Sequence, residues 1–322
     1  QKHDIVLYQI DDANVCVSVI YKDETFWLTR MSMAELFDVG PQAISKHLGN
    51  IYNEEELDRE STSSKMELVQ NEGGIEKKRK VDFYNLDAII AVGYRVNSKK
   101  ATKFRQWATK TLKEYITKGF VLNDDMLKNG KPFGKDYFDE LLERIREIRA
   151  SERRAYQKIT DVFEQCSYDY DKNSETTRAF YAFVQNKLHF AVTGQTAAEL
   201  IYDRADAEKP TMGLTTWKDA PDGKILKRDI VVAKNYLNKK EMSRLNRLVT
   251  MFIDYAELMA EDEVLMSMQD WADQTNQFLS NNRRNVLEGK GKISHEQAIE
   301  KAAKEYDIFR VRQDQEYVSE FD

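Results

Sequence analysis

Ser45 and Lys46 lie three and four residues after Gln42, and Asn50 lies four after Lys46, so on a helix these residues share one face. Amide, hydroxyl and ammonium groups so placed can hydrogen-bond base edges or phosphate oxygens, and His47 lies beside them. Further on, Lys77, Lys78, Arg79 and Lys80 form an unbroken run of positive charge, suited to a phosphate backbone held without regard to sequence. A different chemistry is suggested by Glu199 and Asp203, four apart, with Asp206 close behind. Carboxylates at that spacing can hold Mg²⁺ or Mn²⁺ for phosphodiester cleavage, with Lys209 or Lys218 neutralising the transition state and Asp169 and Asp171 completing the site. Arg149, Arg153 and Tyr156 fall at i, i+4 and i+7, a spacing that can grip a phosphate. Each set has a plainer counterpart: a solvated helix face, an edge strand guarded by lysines, an acidic helix surface, or an arginine face paired with Glu147 and Glu152.

The first set needs a helix-turn-helix to present it, and residues 33–48, MAELFDVGPQAISKHL, have that pattern. Ala34, Leu36 and Phe37 give a first helix a small inner face, and residues 38–40 make the break. Gly40 is the residue there expected to adopt a backbone angle that most residues avoid, while Asp38 occupies the turn-entry position often held by glycine. Pro41 suits the first position of a second helix, which needs no amide donor, and Ile44 and Leu48 hold that helix to the first. The basic run needs a hairpin. Met66 and Leu68 alternate before Asn71, Glu72, Gly73 and Gly74, and Ile75, Val81 and Phe83 follow on the far side. A hairpin after a helix-turn-helix is the wing of a winged-helix domain, and the four cations lie on its second strand.

The chain has 322 residues, 41% hydrophobic and 32% charged, with only four prolines, which indicates a largely helical globular protein of two domains. Its net charge of −6 argues against indiscriminate coating of nucleic acid, so a DNA surface must be a local basic patch on an acidic body. Cys16 and Cys166 form no CxxC, no apolar run reaches membrane-spanning length, and a cytoplasmic protein with reduced thiols is expected. Four histidines without HExxH spacing argue against zinc, and neither a P-loop nor a GxGxxG is present.

The expected fold class is α+β. Residues 1–128 form a winged-helix-like DNA-binding domain with short strands over 5–10 and 15–28, and a lysine-rich helix begins near Ser98. Residues 129–135, NGKPFGK, read as a linker, and residues 136–310 as a mostly helical domain with a polar tail at 311–322. That domain opens with one long helix over 136–166, whose stripe of Phe138, Leu141, Leu142, Ile145, Ile148, Ile159, Val162 and Phe163 can connect the domains or pair with a second copy. Further helices are expected over 175–192, 196–207, 237–260, 266–279 and 294–309, with a long loop over 210–224 anchored by Trp217.

Five strings in this order resemble the RhuM family of bacterial, mobile-element-associated proteins: residues 83–120, 148–159 (IRASERRAYQKI), 184–201 (VQNKLHFAVTGQTAAELI), 204–218 and 291–298 (GKISHEQA). The resemblance extends over nearly the whole chain. It implies an N-terminal DNA-binding part of the kind found in phage regulators, and it transfers no catalytic residue. The expected function is a DNA-binding regulatory or mobile-element protein, with duplex DNA and a second copy of itself as partners and no cofactor. A Mg²⁺- or Mn²⁺-dependent nuclease, with Glu199, Asp203, Arg153 and Lys209 as its site, is the alternative.

Overall fold

In the computed structural model, residues 2–10, 13–72, 75–130, 135–171 and 173–316 are described. They divide into two compact units, residues 1–138 and 139–322.

The first unit is mixed α+β. Strands β1 (Lys2–Ile10), β2 (Ala13–Lys22) and β3 (Thr25–Thr29) lead into helices α1 (Arg30–Phe37), α2 (Pro41–Asn53) and the single turn α3 (Arg59–Thr62). A long hairpin follows, β4 (Ser63–Glu72) and β5 (Ile75–Tyr84), then α4 (Leu86–Arg95), α5 (Lys99–Lys118) and α6 (Asp124–Asn129). The strands form one antiparallel sheet in the order β1-β2-β3-β5-β4. Leu28 and Thr29 pair with Tyr84 and Phe83, so the short β3 joins the N-terminal strands to the hairpin.

Thr29 caps α1 by accepting from the Ser32 amide, and Asn85 and Ser98 cap α4 and α5 in the same way. Met33, Leu36 and Phe37 on α1, Ile44, Leu48 and Ile51 on α2, and Ile89 and Val92 on α4 close around a core shared with Leu28, Tyr84 and Phe104. Trp107 packs against that core with its ring 5.7 Å from Phe104. Gly93 is required where α4 meets two rings. A Cβ there would lie 2.7 Å from Phe104 and 2.9 Å from Phe37. Gly93→Ala should therefore destabilise the protein: crowding costs about 1–3 kcal/mol, against about 1 kcal/mol gained in helix propensity. A urea midpoint equal to or above that of the unmodified protein would show that the rings yield freely.

The turn between α1 and α2 differs from expectation. Gly40 is extended (φ −69, ψ 146), and the left-handed residue is Asp38 (φ 56, ψ 54). Asp38 is the C-cap of α1, and a short polar side chain tolerates that conformation better than most. Val39 N donates to Ala34 O and closes the helix end.

The second unit is mostly helical: α7 (Phe138–Arg149), α8 (Glu152–Cys166), α9 (Glu175–Thr193), α10 (Ala197–Arg204), a 3-10 turn (Ala233–Tyr236), α11 (Lys239–Glu261), α12 (Met268–Asn281) and α13 (His295–Glu316). Phe163, Phe180, Leu245, Phe252, Trp271 and Leu279 form one core. Ile201, Met212, Ile230, Tyr236, Ala302 and Phe309 form a second.

The single helix expected over 136–166 is two helices. The chain breaks at Ala150 and Ser151, where Ser151 becomes the N-cap of α8 and its hydroxyl donates to Ile148 O. Lys234 Nζ donates to Ala150 O at 2.7 Å, satisfying a carbonyl that the break leaves without its helical partner. The apolar stripe divides with it. Ile159, Val162 and Phe163 are buried, whereas Ile145 and Ile148 on α7 are exposed. The boundary between units falls at Phe138, and of the expected linker residues 131–134 lie outside the described residues. The tail expected from 311 is helical as far as Glu316, and 317–322 lie outside the described residues.

Candidate functional site

Helix α2 presents two different faces. Ile44, Leu48 and Ile51 are buried, while Gln42, Lys46 and Asn50 are exposed and Ser45 and His47 half-buried. The sequence-derived set is thus brought together on one surface, with one reservation for Ser45. Its hydroxyl donates to Pro41 O at 3.0 Å and accepts from Arg30 Nη1 at 3.2 Å. Arg30, at the start of α1 and exposed, was not among the sequence candidates, and it adds a guanidinium to this face. Burial, then the nearby Arg95 and Lys46 charges, holds the His47 imidazole below its ordinary value.

Beyond α2, Arg95 Nη2 is bonded to Glu54 at 2.6 Å and also to Glu56, tying the segment after α2 to α4. Asp58 caps α3 from the Ser61 amide, and the Thr62 hydroxyl donates to Asp58 O and lies 3.2 Å from the Tyr52 hydroxyl. These bonds tie together the path from α2 into the hairpin.

On β5, Lys78, Arg79 and Lys80 are exposed. The side chain of Lys77 lies outside the described residues. The β4–β5 register puts Lys80 opposite Glu67 and Lys78 opposite Val69, and alternation sends Lys78 and Lys80 to one face and Arg79 to the other. Lys80 therefore has a carboxylate neighbour across the strands.

In the second unit the acidic candidates have structural partners. Glu199 is the third residue of α10 and completes a capping box: it accepts from Thr196 N at 2.8 Å, while the Thr196 hydroxyl accepts from Glu199 N. Its other oxygen accepts from Lys292 N at 2.7 Å, which fastens residues 289–293 to α10. Burial would raise this carboxyl, but the backbone donors of Thr196 and Lys292 together hold it below the ordinary glutamate range. Asp203 accepts from Gln195, and Asp206 accepts from Glu208 N and lies 3.7 Å from Lys209 Nζ. Asp169 caps the start of α12 by accepting from Met268 N, and Asp171 accepts from Asn173 N. Among the described residues, no group of three or more His, Cys, Asp or Glu side chains is placed to hold a metal ion.

The arginine candidates part company. Arg149 pairs with Asp254 at 2.6 Å and Glu257 at 2.8 Å on α11. The side chains of Arg153 and Tyr156 lie outside the described residues. Lys218 is exposed, and the Trp217 indole donates to Gly223 O at 2.7 Å, anchoring the loop as expected.

The capping box of Glu199 was legible before the fold, because Thr196, two alanines and Glu199 spell the pattern in which a threonine and a glutamate exchange bonds with each other's amides. Carboxylate spacing alone pointed to a metal instead.

A family model described as the Virulence protein RhuM family matches residues 61–318, about four-fifths of the chain. The chain belongs to the RhuM family. All five strings that carry the resemblance fall inside the match, whereas α1 and α2 precede it. The RhuM match thus begins in α3 and takes in the hairpin, α4, α5 and the whole helical unit as far as α13. No curated protein matches this RhuM chain. Among the described residues, no helix is long and apolar enough to cross a membrane.

His189, in one of those strings, is buried on α9, with Nδ1 bonded to Gln185 O at 2.9 Å and Nε2 without a partner. Burial pushes its pKa down to about 4, against the effect of the Gln185 carbonyl. The native state thus binds this proton less well than the unfolded chain does. The resulting stability is full above about pH 6.5 and is lost as pH falls towards 4, a change of about 3 kcal/mol. Unfolding free energy measured from pH 7 down to pH 4 should fall by that order more in the unmodified protein than in His189→Leu. Parallel pH profiles would remove His189 as the cause.

Proposed function

We propose that this protein is a DNA-binding regulatory or mobile-element protein whose first unit acts as a winged helix-turn-helix. The observation that carries the reading is the two-faced α2: three buried aliphatic side chains fix its position, and Gln42, Lys46 and Asn50 stand exposed on the other side. A helix anchored so, after a three-residue turn, can enter the major groove with its first turns against base edges. The hairpin β4–β5 is the wing, and Lys78, Arg79 and Lys80 contact phosphates alongside.

The roles divide by chemistry. Gln42 and Asn50 carry amides that pair with adenine through two hydrogen bonds, and Lys46 donates to guanine O6 or N7. Ser45, bonded to Pro41 O and Arg30, contributes a phosphate contact through that arginine. Selection from a random duplex pool followed by titration tests this assignment. Gln42→Ala should lose about 1–3 kcal/mol on the selected site and much less on a scrambled duplex. Equal losses on both would reduce α2 to a backbone anchor.

For the helical unit we infer self-association through α7, on which Ile145 and Ile148 are exposed. A dimer would present two copies of α2 to a two-fold site. Ile145→Glu together with Leu141→Glu should then yield monomers by sedimentation. An unmodified protein that is itself monomeric well above binding concentrations would refute the dimer.

A further inference from the structure

The second unit carries a cationic cleft that the reading above does not use. It has a volume of about 410 Å³ and lies between the first half of α11 and the chain just after α12. Lys240, Arg244 and Arg247 line it from α11 at i, i+4 and i+7, hence from one helical face. Arg284 faces them from the other side, and Ser243 and Asn282 supply neutral polar groups. The cleft lining contains no carboxylate. Glu143 of α7, which borders the cleft, accepts from Arg247 at 2.9 Å, from Ser243 at 3.0 Å and from Arg146 at 2.7 Å. Its charge is thus already matched by two guanidinium groups. Among the described residues, Lys240, Arg244 and Arg284 form no ion pair.

Three unpaired cations converging on one cleft are unusual in a chain of net charge −6. They repel one another unless an anion lies between them. The spacing points to the kind of anion. Lys240 and Arg244, the two unpaired cations that α11 gives the cleft, lie about 6 Å apart in helix rise, so together they can reach neighbouring phosphates of one strand. The floor of the cleft is apolar, with Leu248 buried and Met251 exposed, which suits the sugar edge of a strand.

We propose that this cleft holds the phosphate backbone of one nucleic-acid strand, so that the helical unit makes a contact separate from α2 and the hairpin. Arg244 and Arg284 contact phosphates directly, and Lys240 extends the row.

The test uses the full chain, a fluorescent oligothymidylate and a random-sequence duplex, with affinity measured across a salt series. The double variant Arg244→Gln, Arg284→Gln removes two contacts. The slope of log affinity against log salt should become shallower by about 1.4 on the single strand or about 1.8 on the duplex. Arg244→Lys with Arg284→Lys keeps both charges and should keep the slope, with thermal midpoints confirming that both variants fold. The same pair is introduced into protein whose Lys78, Arg79 and Lys80 are alanine. A further loss there supports the cleft, and loss from the cleft variants with none from the hairpin variants supports it while refuting the wing. Unchanged slopes from the cleft variants on both probes, while the hairpin variants lose affinity, overturn the cleft and leave the wing standing. Tripolyphosphate that binds at the cleft without displacing either oligonucleotide also overturns it, in favour of a small phosphorylated ligand.

Discussion

Replacing Lys78, Arg79 and Lys80 with alanine should weaken binding to every duplex alike, by roughly ten- to a hundredfold at moderate salt. Each phosphate contact releases counterions, so each loss lowers the salt slope by about 0.9, and three losses lower it by nearly three units. The register refines this expectation. Lys80 stands opposite Glu67, whose carboxylate repels a phosphate and offsets part of the attraction that Lys80 supplies. Lys78→Ala alone should therefore cost more than Lys80→Ala alone. The preference between selected and scrambled duplexes should survive all three changes, because phosphate contacts carry no sequence information. A selective loss on the preferred duplex would mean that the strand reads bases instead.

The largest expected effect on stability lies in the second unit. Trp271 is fully buried, its indole donates to the Ser167 hydroxyl at 2.9 Å, and its ring lies 4.9 Å from that of Phe163. Trp271→Ala removes this packing and leaves the hydroxyl without its donor, so a loss of about 3–5 kcal/mol is expected. Trp271→Phe keeps most of the apolar volume and should cost far less. Denaturant titration of both variants checks the difference. Equal losses would mean that the hydrogen bond, and not the packed volume, carries the effect.

The two halves of the chain differed in how much their sequence disclosed. Helix α2 was legible because everything that defines it is local: Pro41 at its start, Ile44 and Leu48 one turn apart, and polar residues between them. The hairpin was legible from alternation around its turn residues. Its attachment was not, because the pairing of Leu28 with Tyr84 joins residues far apart in sequence, and nothing near either one encodes that meeting. Propensity favours Gly40 as the left-handed turn residue, yet the helix end falls at Asp38, and position along the helix outranks residue type.

In the helical unit, an unbroken periodic stripe hid the break at Ala150. A serine followed by a glutamate is a helix-start signal that the apolar pattern masked, and the Lys234 ammonium that satisfies the broken end comes from a remote turn. Glu199 shows the same limit in chemical form. A carboxylate four residues from another fits both a metal ligand and a helix cap, and only the Lys292 amide against its second oxygen reveals which bonds it makes. The cationic cleft was out of reach for the same reason, since Arg284 meets Arg244 only through the packing of α11 and α12.

Photochemical cross-linking of the unmodified protein to a bromouracil-substituted duplex from the selected pool, followed by peptide mapping, tests the central claim most directly. The account predicts cross-links within residues 41–50 that depend on the selected sequence, and cross-links within 77–80 that form on any duplex. A duplex that is bound and cross-linked elsewhere in the chain, with neither segment labelled, would contradict it.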